Sequence, residues 1–320
     1  MNKNLSVNIA GVQLKNPVIT ASGTFNSGKE YSQFVDLNRL GAITVKGVSH
    51  EPWPGNPPPR TAETYGGMLN AVGLQNPGAK AFIENDLPFL RKYDTKVIVN
   101  LCGKTVEDYI AVVRDFEGVE IDLFELNISC PNIKAGGMAM GTDPAMTEAI
   151  TREVKKHATA PLIVKLSPNV TDITGIAKAA EAGGADAISL INTLLGMKIE
   201  IHARNRNSSA AYADDPMYWH TKKPVLGNKV GGLSGPAIKP VAVRMVYQVA
   251  KAVKLPVIGM GGIATGEDAI EFIMAGATAV AVGMANFANP RATMDILDGI
   301  NAYMDMYNLL NISDIKGIIE

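Results

Sequence analysis

Residues 161–192, PLIVKLSPNVTDITGIAKAAEAGGADAISLIN, have the pattern strand, helix, strand. The two ends, PLIVKL (161–166) and AISLIN (187–192), are short apolar runs whose near-continuous hydrophobicity is typical of parallel strands buried on both faces. Residues 171–185, between them, have helical apolar spacing with a glycine pair at their end. Two strands joined by a helix form a βαβ unit, which predicts a parallel sheet.

The same alternation of strand and helix runs along the chain. Another helix is predicted over 265–277, where Thr265 and Asp268 form a capping-box-like pair. Eight interleaved strands predict an α/β fold of the (β/α)8 TIM-barrel class, in one domain over residues 1–320. A doubly wound sheet is the alternative, but no G-x-G-x-x-G turn follows the first strand. The predicted strands are PVITAS (17–22), AITVKG (42–47), KVIVNL (96–101), LFELNIS (123–129), PLIVKL (161–166), AISLIN (187–192), PVIGMGG (256–262) and AVAVGM (279–284).

Two stretches interrupt the regular pattern. EPWPGNPPPR (51–60) carries five prolines, which predicts an extended loop. Residues 202–223, HARNRNSSAAYADDPMYWHTKK, are polar and aromatic and resemble neither a helix nor a barrel strand. We expect both to leave the barrel as excursions, and we interpret 202–223 as an atypical insertion.

The composition suits one large globular domain, with 320 residues of which 47% are hydrophobic and 19% charged. A formal net charge of −1 without a run of like charges argues against a nucleic-acid-binding protein. No stretch reaches the roughly 18 apolar residues that a membrane helix needs, and the N-terminus has no long apolar run, so we expect a cytoplasmic protein. The two cysteines, Cys102 and Cys130, are too few to ligate zinc or an iron–sulfur cluster within this chain, and we expect no metal site.

The predicted strands end in unusually polar residues. In a (β/α)8 barrel the chemistry sits at the carboxyl ends of the strands, so these residues are candidates for a site. Lysines and asparagines that finish apolar runs would be buried without partners unless a polar ligand fills the mouth of the barrel. A lysine after a strand can also extend to solvent, which leaves Lys46 alone open to a structural role. The residues are Ser22, Lys46, Asn100, Asn127, Lys165, Asn192 and Thr193, followed by Gly261, Gly262 and Gly283.

Glycine-rich turns surround the last two strands. MGGIATG (260–266) and VGM (282–284) follow the seventh and eighth strands, where barrels often bind phosphate through backbone N–H groups. GGLSG (231–235) precedes the seventh strand. A single such turn is weak support, but together they predict a cofactor that carries a phosphate.

Cys130 lies in NISCPN (127–132), just past the fourth strand, where a thiol could act as base or nucleophile. Pro131 fixes the turn, and the pair Gly136–Gly137 lets the following loop close over a ligand. Cys102 has no polar cluster downstream, and we interpret it as an inert buried cysteine. No histidine is placed to serve as a base, which disfavours a Cys–His hydrolase.

Taken in order, the motifs resemble the dihydroorotate dehydrogenase family over residues 4–300, most closely its NAD-linked class 1B branch. The combination of NISCPN with a following GGM and with LNAVGLQNPG is the specific part of the resemblance. The motifs are PVITASGTF, AITVKGVS, GGMLNAVGLQNPG, NISCPNIKAGGMAMGTDP, VKLSPNV, INTLLGM, GGLSGPAIKP, IGMGGI and AVGMA.

The resemblance implies a barrel that binds FMN, one per chain, and oxidises dihydroorotate to orotate in pyrimidine biosynthesis. Cys130 matches the catalytic base, which removes the C5 proton while a hydride leaves C6 for the flavin N5. Lys165 matches the lysine beside the flavin N1–C2 carbonyl edge. The implied cofactor-binding residues are Ser22, Lys46, Gly47, Asn100, Asn127, Lys165, Ile191, Gly235, Gly261, Gly262, Gly283 and Met284. The implied substrate-binding residues are Lys46, Asn70, Ala71, Val72, Gly73, Leu74, Asn127, Asn192 and Thr193.

In the class 1B branch the electrons continue to an electron-transfer subunit that carries FAD and a [2Fe–2S] cluster and reduces NAD⁺. Because this chain cannot ligate such a cluster, the partner has to bring it. The resemblance therefore implies a heterotetramer of two catalytic and two electron-transfer subunits, built on a homodimer of this chain.

Two other functions stay open. The same FMN half-reaction could use another acceptor, as in the fumarate-using homodimers or in the pyrimidine-reducing enzymes with related barrels. A flavin- or phosphate-ligand-binding barrel without catalytic activity is the other alternative.

The insertion departs from the family, which has only a few residues between INTLLGMKIEI and KKPVLGNKVGGLSG. About eighteen extra residues stand here, among them Tyr212, Tyr218 and Trp219. A surface hairpin is one interpretation, since insertions in surface loops cost little. A cover for the barrel mouth or part of a subunit interface is the other.

Overall fold

The computed structural model describes residues 3–129, 140–201 and 224–320. Eight parallel strands close into a barrel in the order of the chain, and the last strand pairs with the first. They are β3 (Val18–Thr20), β4 (Ala42–Thr44), β7 (Lys96–Leu101), β8 (Leu123–Asn127), β9 (Leu162–Lys165), β10 (Ala187–Leu190), β13 (Val257–Met260) and β14 (Ala279–Val282).

All eight predicted barrel strands are therefore confirmed, and so is the (β/α)8 class. Seven of the strands are shorter than the predicted runs, because the last residues of each run already belong to the loop at the carboxyl end, whereas β7 has the predicted bounds. The single-domain boundary, 1–320, stays a prediction.

Helices alternate with the strands and cover the outside of the barrel. Thr265 caps the helix Gly266–Met274 through the predicted capping box, in which its hydroxyl accepts from the Asp268 backbone N–H. Thr105 and Asp108 form the same box at the start of the helix Val106–Arg114. The helices are α1 (Ala79–Ala81) and α2 (Leu87–Leu90) with a π-turn between them, α3 (Val106–Arg114), α4 (Pro144–His157), α5 (Ile173–Ala182), α6 (Lys239–Ala252), α7 (Gly266–Met274), α8 (Ala285–Ala288) and α9 (Ala292–Met306).

A short antiparallel hairpin closes the amino-terminal end of the barrel. It consists of β1 (Val7–Ile9) and β2 (Val12–Leu14), which sequence reasoning did not predict. Ile9 and Leu14 are fully buried and pack into the apolar cluster inside the barrel. The hairpin therefore blocks this end, and ligands have to enter from the carboxyl end of the strands.

A four-stranded antiparallel sheet stands at the open end, in the order β11, β12, β6, β5. Its members are β5 (Thr61–Thr64), β6 (Gly67–Asn70), β11 (Leu194–Met197) and β12 (Val230–Ser234). GGLSG (231–235) was predicted as a glycine-rich turn, and this is a correction: it belongs to β12 and pairs with β6, Leu233 opposite Leu69. Sequence reasoning missed these two central strands because glycine-rich strands lack the usual apolar and β-branched signal.

The proline-rich stretch 51–60 is an extended segment, as predicted, and Trp53 forms a short bridge with Asn76. The insertion 202–223 lies outside the described residues. Its flanks pair antiparallel, Ile199 with Pro224. Among the described helices, none is both long and apolar enough to cross a membrane.

Candidate active site

Side chains along each barrel strand point alternately into and out of the barrel, and the inward-pointing ones form the site. Ile98, Leu123 and Ile163 point into the barrel and form part of its apolar interior. Two residues further along each strand, a polar side chain faces the same way, and these are Asn100, Glu125 and Lys165. The barrel interior is thus apolar near the hairpin and polar near the open end.

The opposite wall of the barrel interior is made of small residues. On β3 and β14 the inward positions above Ile19 and Ala279 are occupied by Ala21, Ala281 and then Gly283. Small side chains on one side and long polar ones on the other leave an asymmetric space. Such a space suits a flat ligand whose polar edge faces one wall.

A cavity of about 360 Å3 occupies this space and opens at the carboxyl ends of the barrel strands. Its size is that of a small-molecule site. Barrel-strand ends form its floor, and the antiparallel sheet contributes one side through Met68, Asn70 and Ser234.

Lys165 carries a positive charge into this cavity. The residue is only 5% exposed, and its Nζ donates to the Ser22 hydroxyl at 3.4 Å. Within the described part of the chain, no carboxylate lies within salt-bridge distance of it. A nearly buried ammonium with so weak a partner is costly unless a ligand supplies an acceptor. The residue therefore indicates a ligand with an anionic or carbonyl edge at this point.

Three glycines form a cradle at the other end of the cavity. Gly235, Gly261 and Gly262 all have positive φ, a conformation that favours glycine. A Cβ on Gly262 would lie 2.8 Å from the Lys239 Cβ and 2.9 Å from the Gly235 carbonyl oxygen. Because no side chain fits here, the backbone can approach a ligand closely. Gly283, Met284 and the start of α8 complete this end of the cavity, which suits a phosphate.

Comparisons with known proteins agree with this geometry. The family model described as dihydroorotate dehydrogenase matches residues 4–304. A relative from Alkaliphilus oremlandii, named dihydroorotate dehydrogenase B (NAD(+)), catalytic subunit, is 67% identical over 315 residues, which cover 98% of each chain. Relatives of the same name from Alkaliphilus metalliredigens and Lachnoclostridium phytofermentans are 64% and 62% identical and cover at least 98% of each chain.

The chain belongs to the dihydroorotate dehydrogenase family. The resemblance predicted from the motifs is confirmed, and with it the assignment to the oxidoreductases.

In this member of the dihydroorotate dehydrogenase family, most of the residues predicted for the site line the cavity. They come from the ends of seven barrel strands and from the antiparallel sheet with its loops, far apart in sequence. Those on the cavity wall are Ser22, Lys46, Asn70, Val72, Gly73, Leu74, Asn127, Lys165, Ile191, Asn192, Thr193, Gly235, Gly261, Gly262, Gly283 and Met284.

Three predicted residues do not reach the cavity wall. Asn100 is fully buried beneath it and donates to Glu125. Gly47 faces Cys102, whose Sγ a Cβ on Gly47 would overlap. Ala71 is 1% exposed and packs in a small apolar cluster beside the sheet. These residues support the wall from behind.

Cys130, the predicted base, lies outside the described residues. Ser129, which precedes it, is described: it is buried, and its hydroxyl donates to Asn127 Oδ1 at 3.0 Å. Asn192 Nδ2 donates to the Ser129 hydroxyl at 2.9 Å and to its carbonyl at 3.1 Å. The chain leading to Cys130 is therefore tied to two residues of the cavity wall.

The remaining cysteine and the described histidines have no place in the site. Cys102 is 1% exposed, as expected for an inert buried thiol. His50 lies on the surface beside Asp115, 2.8 Å from its carboxylate, and this hydrogen bond raises the pKa of His50. His157 is the last residue of α4. Neither of these histidines lines the cavity.

Sequence reasoning missed several wall residues and one buried acid. Met68, Thr61 and Ser234 reach the cavity only because the antiparallel sheet folds over it, and no local signal indicates that pairing. Glu125 is 2% exposed inside the barrel. A charged residue in the middle of the apolar run LFELNIS was the available signal.

Proposed function

We propose that this chain is a cytoplasmic, FMN-dependent enzyme that oxidises (S)-dihydroorotate to orotate in pyrimidine biosynthesis and passes the electrons through a partner subunit to NAD⁺. The observation that carries the proposal is the cavity itself, with a glycine cradle at one end and a ring of polar side chains around a nearly buried lysine at the other. The relatives named as catalytic subunits of an NAD(+) enzyme support the acceptor and the partner.

The residues present fit FMN. Gly261, Gly262, Gly283 and Met284 would hold its phosphate through backbone N–H groups, as the glycine cradle allows. Lys165 would face the polar edge of the ring, where a cation stabilises added negative charge. When bound, FMN supplies the hydride acceptor of the reaction. The other proposed contacts are Ser22, Lys46, Gly47, Asn100, Asn127, Ile191 and Gly235, of which Gly47 and Asn100 would act from behind the wall.

The polar wall residues suit dihydroorotate, which carries a carboxylate and two carbonyls flanking a ring N–H. Lys46 would neutralise the carboxylate, and the amides of Asn70, Asn127 and Asn192 can each donate and accept. Together they would hold the ring in one orientation. The remaining proposed substrate-site residues are Ala71, Val72, Gly73, Leu74 and Thr193, of which Ala71 would act from behind the wall.

Cys130 is the proposed base, which takes the proton from C5 of dihydroorotate onto its Sγ. A thiol has an ordinary pKa of about 8.5, so a modest decrease makes the thiolate available near neutral pH. The hydrogen bonds that hold Ser129 to Asn127 and Asn192 support this role, because they tie the preceding residue to the substrate wall.

The first experiment is an absorbance spectrum of the purified chain, followed by anaerobic addition of dihydroorotate. We expect a yellow protein that bleaches. A yellow protein that does not bleach would contradict the substrate, and a colourless one that FMN cannot reconstitute would favour a binding protein of another kind.

A Cys130→Ser variant tests the base. We expect the variant to keep its flavin and to lose about 10²–10⁴-fold in turnover, the usual contribution of a general base. The matched control is Cys102→Ala, which changes the other thiol away from the cavity wall and should turn over at nearly the wild-type rate. Equal turnover in Cys130→Ser and wild type would contradict the assignment of Cys130 as the base.

The need for a partner subunit is tested by which electron acceptors the purified chain can reduce on its own. The proposed heterotetramer contains two copies of this chain and two electron-transfer subunits that carry FAD and a [2Fe–2S] cluster, so we expect the chain alone to reduce a dye but not NAD⁺. Full-rate NAD⁺ reduction by the chain alone would contradict the partner, and rapid fumarate reduction would support the homodimeric alternative.

A further inference from the structure

A carboxylate lies inside the barrel, below the cavity wall. Glu125 is on β8, two residues before Asn127, and is 2% exposed. Its Oε2 accepts a hydrogen bond from Asn100 Nδ2 at 2.5 Å, and its Oε1 accepts one from the Ser189 hydroxyl at 2.7 Å. Neither oxygen contacts the cavity, so any effect of Glu125 on a ligand has to act through other residues.

A series of hydrogen bonds connects Glu125 with the cavity wall, and in each of them the donor is the group nearer the cavity wall. Asn127 Nδ2 donates to Asn100 Oδ1 at 3.2 Å, and the Ser129 hydroxyl donates to Asn127 Oδ1 at 3.0 Å. Asn192 Nδ2 donates in turn to the Ser129 hydroxyl at 2.9 Å. Every bond therefore points from Asn192 towards the carboxylate. We name this series of hydrogen-bonded residues the amide relay; it consists of Glu125, Asn100, Asn127, Ser129 and Asn192.

Glu125 determines which groups of the neighbouring amides donate and which accept. A carboxylate only accepts hydrogen bonds, whereas an asparagine amide can present either its oxygen or its NH2 group to a neighbour. Since Glu125 takes the NH2 of Asn100, the oxygen of Asn100 has to face Asn127, and the same choice passes to Ser129. The orientation of Asn192 has its own cause, because its Nδ2 also donates to the Ser129 carbonyl and its Oδ1 accepts from the Thr193 N–H. At Asn127 the contact of Oδ1 with the Ser129 N–H is long, at 3.4 Å, so the contact with Asn100 is the stronger constraint on which way that amide faces.

We propose that Glu125 is a positioning residue that, through Asn100, sets which side of the Asn127 amide donates and which accepts at the substrate site. The proposal rests on the proposed function in that it takes dihydroorotate and orotate as the ligands. The relay also anchors Ser129, the residue before the proposed base. Its effect on a ligand is thus orientation of the wall, with no contact between Glu125 and the reacting atoms.

The test is orotate binding to the FMN-loaded protein, followed by the change that it causes in the flavin absorbance. Glu125→Gln keeps the shape of the side chain but lets the amides of Asn100 and Asn127 take either orientation. We expect orotate to bind about tenfold more weakly, the loss of roughly one charge-assisted hydrogen bond. The KM for dihydroorotate should rise by a similar factor, more than kcat falls.

The double variant Glu125→Gln with Asn100→Asp supplies the rescue. Its aspartate at position 100 can accept from both the new glutamine and Asn127 Nδ2, which restores the original direction at Asn127. We expect orotate affinity to return to within about threefold of the wild type. Thr20→Val is the matched control, because it removes a buried hydrogen bond between β3 and β4 outside the relay. It should lower stability without changing orotate affinity.

A second readout does not depend on orotate. The Ser129 backbone N–H donates to Asn127 Oδ1, so its hydrogen exchange reports the orientation of that amide. We expect faster exchange in Glu125→Gln and wild-type exchange in the double variant. Unchanged orotate affinity and exchange in Glu125→Gln, or no rescue in a folded double variant that keeps its full FMN content, would overturn the proposal. If the wild-type protein does not bind orotate, the proposed function is wrong. The exchange rates of the Ser129 N–H then still test whether Glu125 orients the Asn127 amide.

Discussion

Lys165 shows how a single residue can reveal a ligand. Its ammonium is nearly buried, and a serine hydroxyl at 3.4 Å is its described hydrogen-bond partner. Burial of a charge without a strong partner destabilises a protein, so the residue makes sense only in relation to what fills the cavity.

Replacement of Lys165 by methionine should therefore leave the barrel folded but change the flavin. We expect the midpoint potential of bound FMN to fall by at least about 30 mV, which corresponds to about 1.4 kcal/mol of lost stabilisation of the reduced ring. Lys178→Met, at an exposed position on α5, is the control and should leave the potential unchanged. A potential equal to that of wild type in Lys165→Met would place the lysine away from the ring.

Gly262 combines a positive φ with a close approach of neighbouring atoms. An alanine here would meet both backbone strain and the Lys239 Cβ, so we expect Gly262→Ala to lose about 2–4 kcal/mol of stability and most of its FMN. Gly118 has φ +75° but open space around it. Gly118→Ala isolates the strain, about 1–2 kcal/mol, and should keep FMN. Thermal unfolding and flavin content measure both effects.

At the scale of elements, the start of α7 connects the helix to the glycine cradle. Asp268 completes the capping box and also binds Lys239 Nζ at 2.7 Å. Burial tends to raise the pKa of Asp268, but hydrogen bonds from Lys239 and from the Ala264 and Thr265 backbone outweigh it, so the pKa lies below its usual value.

A lowered pKa in the folded state means that the carboxylate stabilises the fold above the unfolded pKa of about 3.9, and that this contribution is lost as the pH falls through the folded value. Asp268→Asn should therefore cost about 1 kcal/mol at neutral pH and make stability less sensitive to acid between roughly pH 5 and 3. Urea unfolding at several pH values checks this. Asp108→Asn is the control: Asp108 forms the same box on α3, but within the described ranges its carboxylate has no ion pair with a lysine side chain. An unchanged acid dependence in Asp268→Asn would contradict the prediction.

At the scale of the whole molecule, the insertion is attached to a stem that the structure describes. Ile199 and Pro224 are bridge partners, and Val225 N donates to the Lys198 carbonyl at 2.9 Å. The antiparallel pairing thus holds the two residues that flank the insertion close together. The barrel does not need the intervening residues to complete its strand order.

Deletion of residues 203–220 with a short Gly/Ser turn in their place should leave FMN content unchanged and the melting temperature within about 2 °C, because loop length changes stability only slightly. A Gly/Ser replacement of equal length is the control. Loss of flavin or of soluble protein would show that the barrel depends on the segment. The mass of the assembly in solution distinguishes a surface hairpin, which leaves it unchanged, from an interface, which reduces it.

The barrel and most of its site follow from local patterns. Apolar runs such as KVIVNL and AVAVGM predict parallel strands because a strand buried on both faces has to be apolar throughout. Once the barrel class is known, the carboxyl end of each strand is the expected place for chemistry, and residues such as Lys165 and Asn192 can be named without coordinates.

Pairings between distant residues could not be predicted in this way. Glu125 contacts Asn100 and Ser189, which lie 25 and 64 positions away, so nothing near it in the chain indicates a relay. The Asn70 amide donates to Gly232 across 162 positions, and this contact joins the sheet that walls the cavity. Periodicity reports which face of an element is buried, whereas contacts across the fold depend on how the elements meet in space. For this reason the sequence reveals the barrel, and the folded molecule shows which side chains orient its site.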